Sequence, residues 1–413
     1  MIQFDKEILS NGLTVLVHQD FSSPLVAMNI LYKAGARDEH PDKTGFAHLF
    51  EHLMFGGSIN IPSYDEPLQK AGGDNNAFTS NDFTNYYLTI PANNIETAFW
   101  LESDRMLSLA FNEKSLEVQR NVVVEEFKQR YLNQPYGDAW LQLRPLAYKV
   151  HPYQWATIGK DISHIENASL DDVKMFFNKY YLPNNAILCL SGAITTNEAL
   201  ALCKKWFQPI AAGKNIQRNI PVEPQQNEKR IKNIESHVPV NALYKAYHCC
   251  ARNDADFYAT DILTDVLSRG KSSRLYTKLV KEQKLFSNLN MYMLGEIDKS
   301  MVVADGKINP GITHQEAEDA LTFECNTLIK QSVEMQELQK IKQQVEAGII
   351  FGEMGIANKA LNLCYYEMLG NAADVNQQAQ KYLDVTTDML MQTAKQIFNE
   401  NNASTLYYHA IQS

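Results

Sequence analysis

With 413 residues, 45% of them hydrophobic and 21% charged, the chain has apolar material for two cores and too few charges for wholesale disorder. A formal net charge of -10, with no basic stripe carrying interleaved aromatics, excludes general nucleic-acid binding. No run approaches the roughly 18 apolar residues of a membrane span, and Met1-Ile2-Gln3-Phe4-Asp5-Lys6-Glu7 shows no signal-peptide pattern, so a cytoplasmic chain without membrane attachment is expected.

Asn11-Gly12, between residues 7–9 and 13–17, predicts a two-residue hairpin. A third strand is expected over 25–32. Gly45-Phe46-Ala47 then leads into a short apolar helix that Gly56-Gly57 stops. That helix holds the strongest chemical signal of the chain, His48-Leu49-Phe50-Glu51-His52.

His48 and His52 are four apart, so they share a helical face one turn apart, with Glu51 beside it. Two neutral imidazoles suit zinc, whose catalytic sites take three protein ligands and leave the fourth position to water. Glu51 is then free to take that water's proton. His-x-x-Glu-His is the inverted zincin order, with the same division between ligands and base as His-Glu-x-x-His. The plain alternative is a packed core histidine, with Glu51 and His52 facing solvent. Leu49, Phe50, Leu53, Met54 and Phe55 argue against it, because ionisable groups set in an apolar helix need partners.

Ser63-x-x-Glu66 predicts a capping box for a helix ending near Gly72-Gly73. Residues 78–90 read as one strand, followed by helices over 94–108 and 113–132. After a loop rich in Pro and Tyr, a helix over 170–180 leads through Pro183-Asn184-Asn185 into a strand over 186–191 and a helix to 207. Residues 209–226 are rich in Pro, Asn, Gln and Gly, which sets a linker at 213–227 between domains 1–212 and 228–413.

The second half repeats the plan: strands near 230–236 and 242–250, helices near 255–267 and 272–283, two more strands and several long helices. A weak duplication at a period of about 200 residues predicts an α+β fold of two tandem homologous domains. Each is an antiparallel-rich mixed sheet packed with helices. Only the first copy has His-x-x-Glu-His, so only one copy holds metal, and the Tyr and Leu stripes of the second are core. The six cysteines lack Cys-x-x-Cys spacing and read as reduced core thiols, with Cys249 and Cys250 on opposite faces of a strand.

Gly35-Ala36-Arg37-Asp38-Glu39, the stretch 45–58, and Gly72-Gly73 leading to Asn76-Ala77-Phe78-Thr79-Ser80 resemble the pitrilysin/insulinase family of inverzincin metallopeptidases. The resemblance spans most of the chain. It is strongest to short bacterial members related to the mitochondrial processing peptidase, in which two half-shell subunits pair. It implies a third ligand, a glutamate in a long helix well beyond the metal helix. Aligning the apolar core of 119–127 puts that ligand at Glu126, with Glu125 as the fallback; neighbours on a helix point about 100° apart, so only one faces the metal. Seven residues earlier the family often has another acid, where this chain has Gln119, removing one negative charge near the ion.

The resemblance further implies that Asn76, Ala77, Phe78 and Thr79 form the sheet edge on which an extended peptide pairs, an ordinary edge strand being the alternative. It places an Arg and a Tyr, seven apart, to bind substrate and oxyanion. Aligned through Ser272-Ser273-Arg274-Leu275-Tyr276, those positions fall on Val280 and Ser287, which cannot do that work. Arg274 with Tyr276, or Tyr292, have the wrong spacing. The implied protein is a zinc endopeptidase with one ion on His48, His52 and Glu126 and Glu51 as base, cutting peptides or unfolded polypeptides in a closed chamber. A homologous partner without zinc ligands supplies the Arg/Tyr pair. The competing readings are a noncatalytic structural or processing-assembly subunit and, more weakly, a module that captures peptides without cutting them.

Overall fold

The computed structural model of the chain describes residues 1–110 and 112–411. The first half begins with β1 (Asp5–Ile8), β2 (Thr14–Gln19), β3 (Leu25–Tyr32), α1 (Phe46–Leu53), α2 (Asp65–Lys70), β4 (Asp74–Thr79) and β5 (Thr84–Pro91). It continues with α3 (Ile95–Leu107), α4 (Glu113–Phe127), α5 (Ala139–Ala147), α6 (Ser163–Glu166), α7 (Leu170–Tyr180), β6 (Ala186–Gly192) and α8 (Thr196–Trp206). The second half opens with β7 (Arg230–Ser236), β8 (Ala242–His248), α9 (Phe257–Ser268), β9 (Phe286–Met293) and β10 (Met301–Ile308). It ends with α10 (His314–Lys330), α11 (Met335–Gly352), α12 (Ile356–Leu369), α13 (Gln378–Leu383), α14 (Thr387–Ile397) and β11 (Ala403–Ala410). Among the described residues, no helix is long and apolar enough to cross a membrane.

Two compact units interleave in sequence. Met1–Phe127, Trp155–Ile220 and Ile350–Gln377 form the first; Lys128–Gln154, Pro221–Ile349 and the chain from Gln378 onward form the second. This division differs from a cut at 213–227 in two places, and apolar faces explain both. The α12 side chains Ala360, Leu363 and Cys364 pack on Leu16, Ala27, Leu31, Ile187 and Cys189 of the first sheet. Ala139, Leu143 and Ala147 of α5 pack on Ala242, Ala246, Met301 and Val303 of the second. Leu363 is fully buried; truncating such a side chain to Ala costs about 2 to 5 kcal/mol.

The first unit's sheet has the order β1-β2-β6-β3-β5-β4, antiparallel except for β2 beside β6. Side-chain alternation sends Ala27 and Leu31 of β3 toward α12, and Val26, Met28 and Ile30 to the face that α1, α3 and α8 cover. β4 is an edge strand. The Ser80 N–H donates to Phe83 O at 2.9 Å, closing the β4–β5 hairpin in the register Thr79↔Thr84 and Phe78↔Asn85. Antiparallel alternation then makes Asn76 and Phe78 bond β5 and turns the N–H and C=O groups of Asn75, Ala77 and Thr79 outward.

The second unit repeats this topology. Its order β7-β11-β8-β10-β9, with β7 parallel to β11 and the rest antiparallel, matches β2-β6-β3-β5-β4 strand for strand. Matching strands begin at Thr14 and Arg230, Leu25 and Ala242, Thr84 and Met301, and Ala186 and Ala403, each pair 216 or 217 residues apart. At a displacement of 217, His48 and His52 fall on Asp265 and Arg269, which form an ion pair at 2.6 Å. Charged partners thus stand where the first copy has two imidazoles.

Several local expectations are corrected. Asn11 is not left-handed, so no two-residue Asn-Gly turn forms; Leu9 N–H bonds Leu13 O across a longer loop in which Gly12 alone has positive φ, 86°. The Asn11 amide instead donates to Phe207 O and Ile210 O at 2.8 and 2.9 Å. Helix α2 starts at Asp65 with Tyr64 as its cap and no side-chain bond, so the Ser63/Glu66 capping box is absent. Residues 78–90 are not one strand: they divide at the Ser80–Phe83 turn. Helix α4 gives way at Phe127 to a π-helical stretch, Lys128–Leu132, and both α5 and β11 had no counterpart in the sequence reading. β8 ends at His248, so Cys249 and Cys250 lie beyond the strand, where the Cys249 thiol donates to Cys250 O at 3.8 Å and the Cys250 thiol meets Thr260 Oγ1 at 3.4 Å.

Candidate metal centre

Helix α1 is fixed at both ends. Gly45 caps it with φ 88°, where a Cβ would come within 2.6 Å of the Ile158 carbonyl oxygen. The first-turn N–H groups meet Glu39, whose carboxyl oxygens accept from Gly45 N at 2.9 Å and Ala47 N at 2.8 Å. Glu39 is buried, and burial pushes its carboxyl up to about 8. Beyond the other end, Asn60 Nδ2 donates to Asp104 of α3 at 2.7 Å, and Ser58 bonds the same carboxylate. Leu49, Phe50 and Leu53 are buried, with Phe50 stacked on Phe176 and Tyr181, so His48, Glu51 and His52 stay half-buried on the other side.

Helix α4 packs against α1. Val123 and Phe127 are buried and Arg120 Nη1 donates to Ala168 O at 3.0 Å; with that orientation Glu125 is exposed and Glu126 half-buried. Glu126 Oε2 lies 3.4 Å from His52 Nε2 and 3.7 Å from His48 Nε2. One ligand atom from each of the three lies within 4.8 Å of the others, the only such His/Cys/Asp/Glu triplet among the described residues. Tetrahedral zinc with bonds of about 2.0 to 2.2 Å holds its donor atoms roughly 3.3 to 3.6 Å apart. Two imidazoles and one carboxylate at these separations therefore fit zinc, with one coordination position left over. Side-chain exposures of 13% for His48, 24% for His52 and 17% for Glu126 leave the cluster open to water.

Glu51 is not part of that triplet. Its Oε2 accepts from Thr79 Oγ1 at 2.6 Å. Burial pushes its carboxyl up, while the Thr79 hydroxyl and the His52 ring work in the opposite direction. The four residues expected to dock peptide all lie in β4 or at its end, with Ala77 and Thr79 on the α1 side and Asn76 and Phe78 on the other. The outward Ala77 N–H donates to Asn76 Oδ1 at 2.8 Å.

Below this site Arg105 of α3 is fully buried, bonded to Glu102 through Nε and Nη2 at 2.7 Å each and stacked 4.5 Å from the Tyr86 ring. Tyr86 is the β5 neighbour of Ala77. Removing one partner of such a buried pair costs about 3 to 5 kcal/mol, so the edge strand rests on a stiff base.

Gln119 is half-buried on α4, two turns before Glu126. Val280 packs into the second unit's core, and Ser287 is exposed with its hydroxyl donating to Lys307 O at 3.4 Å. Arg274 is committed to Glu337 by two bonds of 3.1 and 2.7 Å, and Tyr292 lies near Asp305. Two residues acquire roles that the sequence did not disclose. Glu39 caps the helix across the 40–44 loop, for which an acid shortly before a helix-opening glycine was the available signal, and Thr79 bonds Glu51, for which there was none.

Residues 14–144 match the model of the insulinase family, peptidase family M16, and residues 167–345 match that of the peptidase M16 inactive domain. The zinc protease PqqE of Helicobacter pylori is 28% identical over 408 residues, covering 97% of this chain and 91% of its own. The mitochondrial-processing peptidase subunit beta of Saccharomyces cerevisiae is 26% identical over 202 residues, 48% of this chain and 43% of its own. A solved protease from Helicobacter pylori superposes with a TM-score of 0.93 at 28% identity, over 99% of this chain and 100% of that one.

Proposed function

The chain belongs to peptidase family M16, the insulinase family, and on that premise we propose that it is a zinc-dependent endopeptidase acting on peptides or unfolded polypeptides, the metal-bearing subunit of a heterodimer. The observation that supports this best is the approach of Glu126 Oε2 to His48 and His52, 3.7 and 3.4 Å, with Glu51 outside the set beside them. One ion per chain would sit on His48, His52 and Glu126. Zinc in such a set supplies Lewis-acid polarisation of a water molecule and of the scissile carbonyl.

Glu51 takes a proton from the attacking water and later delivers it to the departing amine, a role that typically contributes about a hundred- to ten-thousand-fold. The substrate lies extended along β4, its backbone pairing with the outward groups of Asn75 and Ala77 and with the Thr79 carbonyl, while Asn76 and Phe78 hold the strand to β5. Main-chain pairing reads little side-chain identity, so a broad range of sequences is accepted. A substrate carbonyl takes over the Ala77 N–H from Asn76.

The missing oxyanion donors give the proposal its second subunit. Val280 and Ser287 offer no Arg and no Tyr, and Arg274 is already paired with Glu337. A homologous partner supplies both donors, in keeping with one relative's being a subunit of a processing peptidase. Losing an oxyanion donor costs about 3 to 4 kcal/mol, a hundred- to a thousand-fold in rate. Mass spectrometry of unfolded-peptide digests should find the chain alone slower by that factor than a mixture with its homologue. Equal rates would remove the heterodimer from the reading. Cytoplasmic residence is part of the proposal and suits six free cysteines.

A second reading, a noncatalytic subunit, draws on the inactive-domain match over 167–345. That stretch begins after His48, Glu51, His52 and Glu126, which all fall within 14–144. A purely structural zinc closes its fourth position and needs no neighbouring base, so Glu51 favours the enzyme.

A further inference from the structure

We propose that Thr79 is a positioning residue that ties the peptide-docking edge to the base, its hydroxyl orienting the Glu51 carboxylate while its main chain belongs to the edge. This rests on the reading of Glu51 as the proton carrier.

Glu51 projects from α1 on a flexible stem, and its carboxylate oxygen Oε2 meets Thr79 Oγ1 at 2.6 Å, the short range of a hydroxyl donating to an ionised acceptor. The Thr79 N–H faces the same carboxylate. Thr is branched at Cβ, which restricts χ1, so the direction of Oγ1 follows the backbone of β4. That backbone is registered on β5, whose Tyr86 ring packs on the buried Arg105. The bond holds Oε2 and so restricts rotation of the whole carboxylate. A peptide pairing at Ala77 and Thr79 therefore steadies the strand that aims the base.

The second unit offers an internal comparison. Displaced by the same 217 residues, Glu51 corresponds to Ser268, whose Oγ accepts from the N–H of Met291 in the edge strand β9 at 2.9 Å. A helix-to-edge tie thus recurs where there is no His-x-x-Glu-His. In the first unit the tied group is the carboxylate itself.

Two substitutions separate orientation from architecture. Thr79→Val keeps the branched shape and drops the hydroxyl; Thr79→Ser keeps the hydroxyl. With zinc content equal to the parent, Thr79→Val should lower kcat about ten- to a hundredfold with KM within about twofold, and Thr79→Ser should recover most of that loss. In zinc-free protein, the fall in unfolding temperature for Thr79→Val combined with Glu51→Leu should be smaller than the sum of the two single shifts. Unchanged kcat in Thr79→Val, equal damage in Thr79→Ser, or additive unfolding shifts would overturn the proposal. Were the parent itself to cleave nothing, the peptidase reading would fall, and the unfolding comparison would still judge the Thr79–Glu51 tie.

Discussion

Glu126 Oε2 stands 3.4 Å from His52 Nε2, while the next residue back on α4, Glu125, is exposed. The helix rotation set by Val123 and Phe127 therefore chooses between two adjacent acids. Glu126→Gln should weaken zinc binding by at least about a hundredfold in a chelator competition, whereas Glu125→Gln should hold zinc as the parent does. Equal zinc affinity for the two variants would mean that the helix presents neither acid to the ion.

The buried cap on α1 makes a pH prediction. Burial raises the Glu39 carboxyl from an ordinary 4.5 to about 8 in the folded chain. The folded state thus holds its proton more tightly than the unfolded state. The stability this contributes is complete below about pH 4.5 and is lost as pH rises through about 8. Calorimetry of zinc-free protein between pH 6 and 9 should show a fall in stability that Glu39→Gln largely flattens. A parallel pH slope in parent and variant would place the titration elsewhere.

At the docking edge, Asn76 Oδ1 occupies the Ala77 N–H that a substrate carbonyl needs. Asn76→Ala removes this competitor. A single hydrogen bond is worth about 0.5 to 1.5 kcal/mol net, so KM for an unfolded peptide should fall roughly two- to tenfold with kcat little changed. A rise in KM would instead give the Asn76 amide a direct contact with substrate.

Local chemistry was legible in the sequence and tertiary chemistry was not. The His48–Glu51–His52 arrangement needs only helical periodicity; Gly45 opens the helix as its N-cap, and the helix ends at Leu53, shortly before Gly56-Gly57. Strand β3 and helix α7 fall where composition placed them. The choice of Glu126 over Glu125 needed family resemblance, because nothing local distinguishes two neighbouring acids. Glu39 reaches α1 across a loop, and Thr79 reaches Glu51 from a different strand, so neither bond leaves a periodic trace. The exchange of α5 and α12 between the two sheets, and the pairing of β11 beside β7 across 174 residues, depend on apolar faces that meet only after folding. Asn11-Gly12 misled for the same reason: the Asn11 amide is held by carbonyls near residue 210, which overrides the turn preference of the dipeptide.

Zinc per chain and peptide cleavage, measured together for the parent and Glu51→Gln, decide whether Glu51 acts as the base beside a bound ion. One zinc is expected in both proteins, with a loss of cleavage of about a hundred- to ten-thousand-fold in the variant. Cleavage by Glu51→Gln at the parent's rate, or no zinc in the parent, would contradict this.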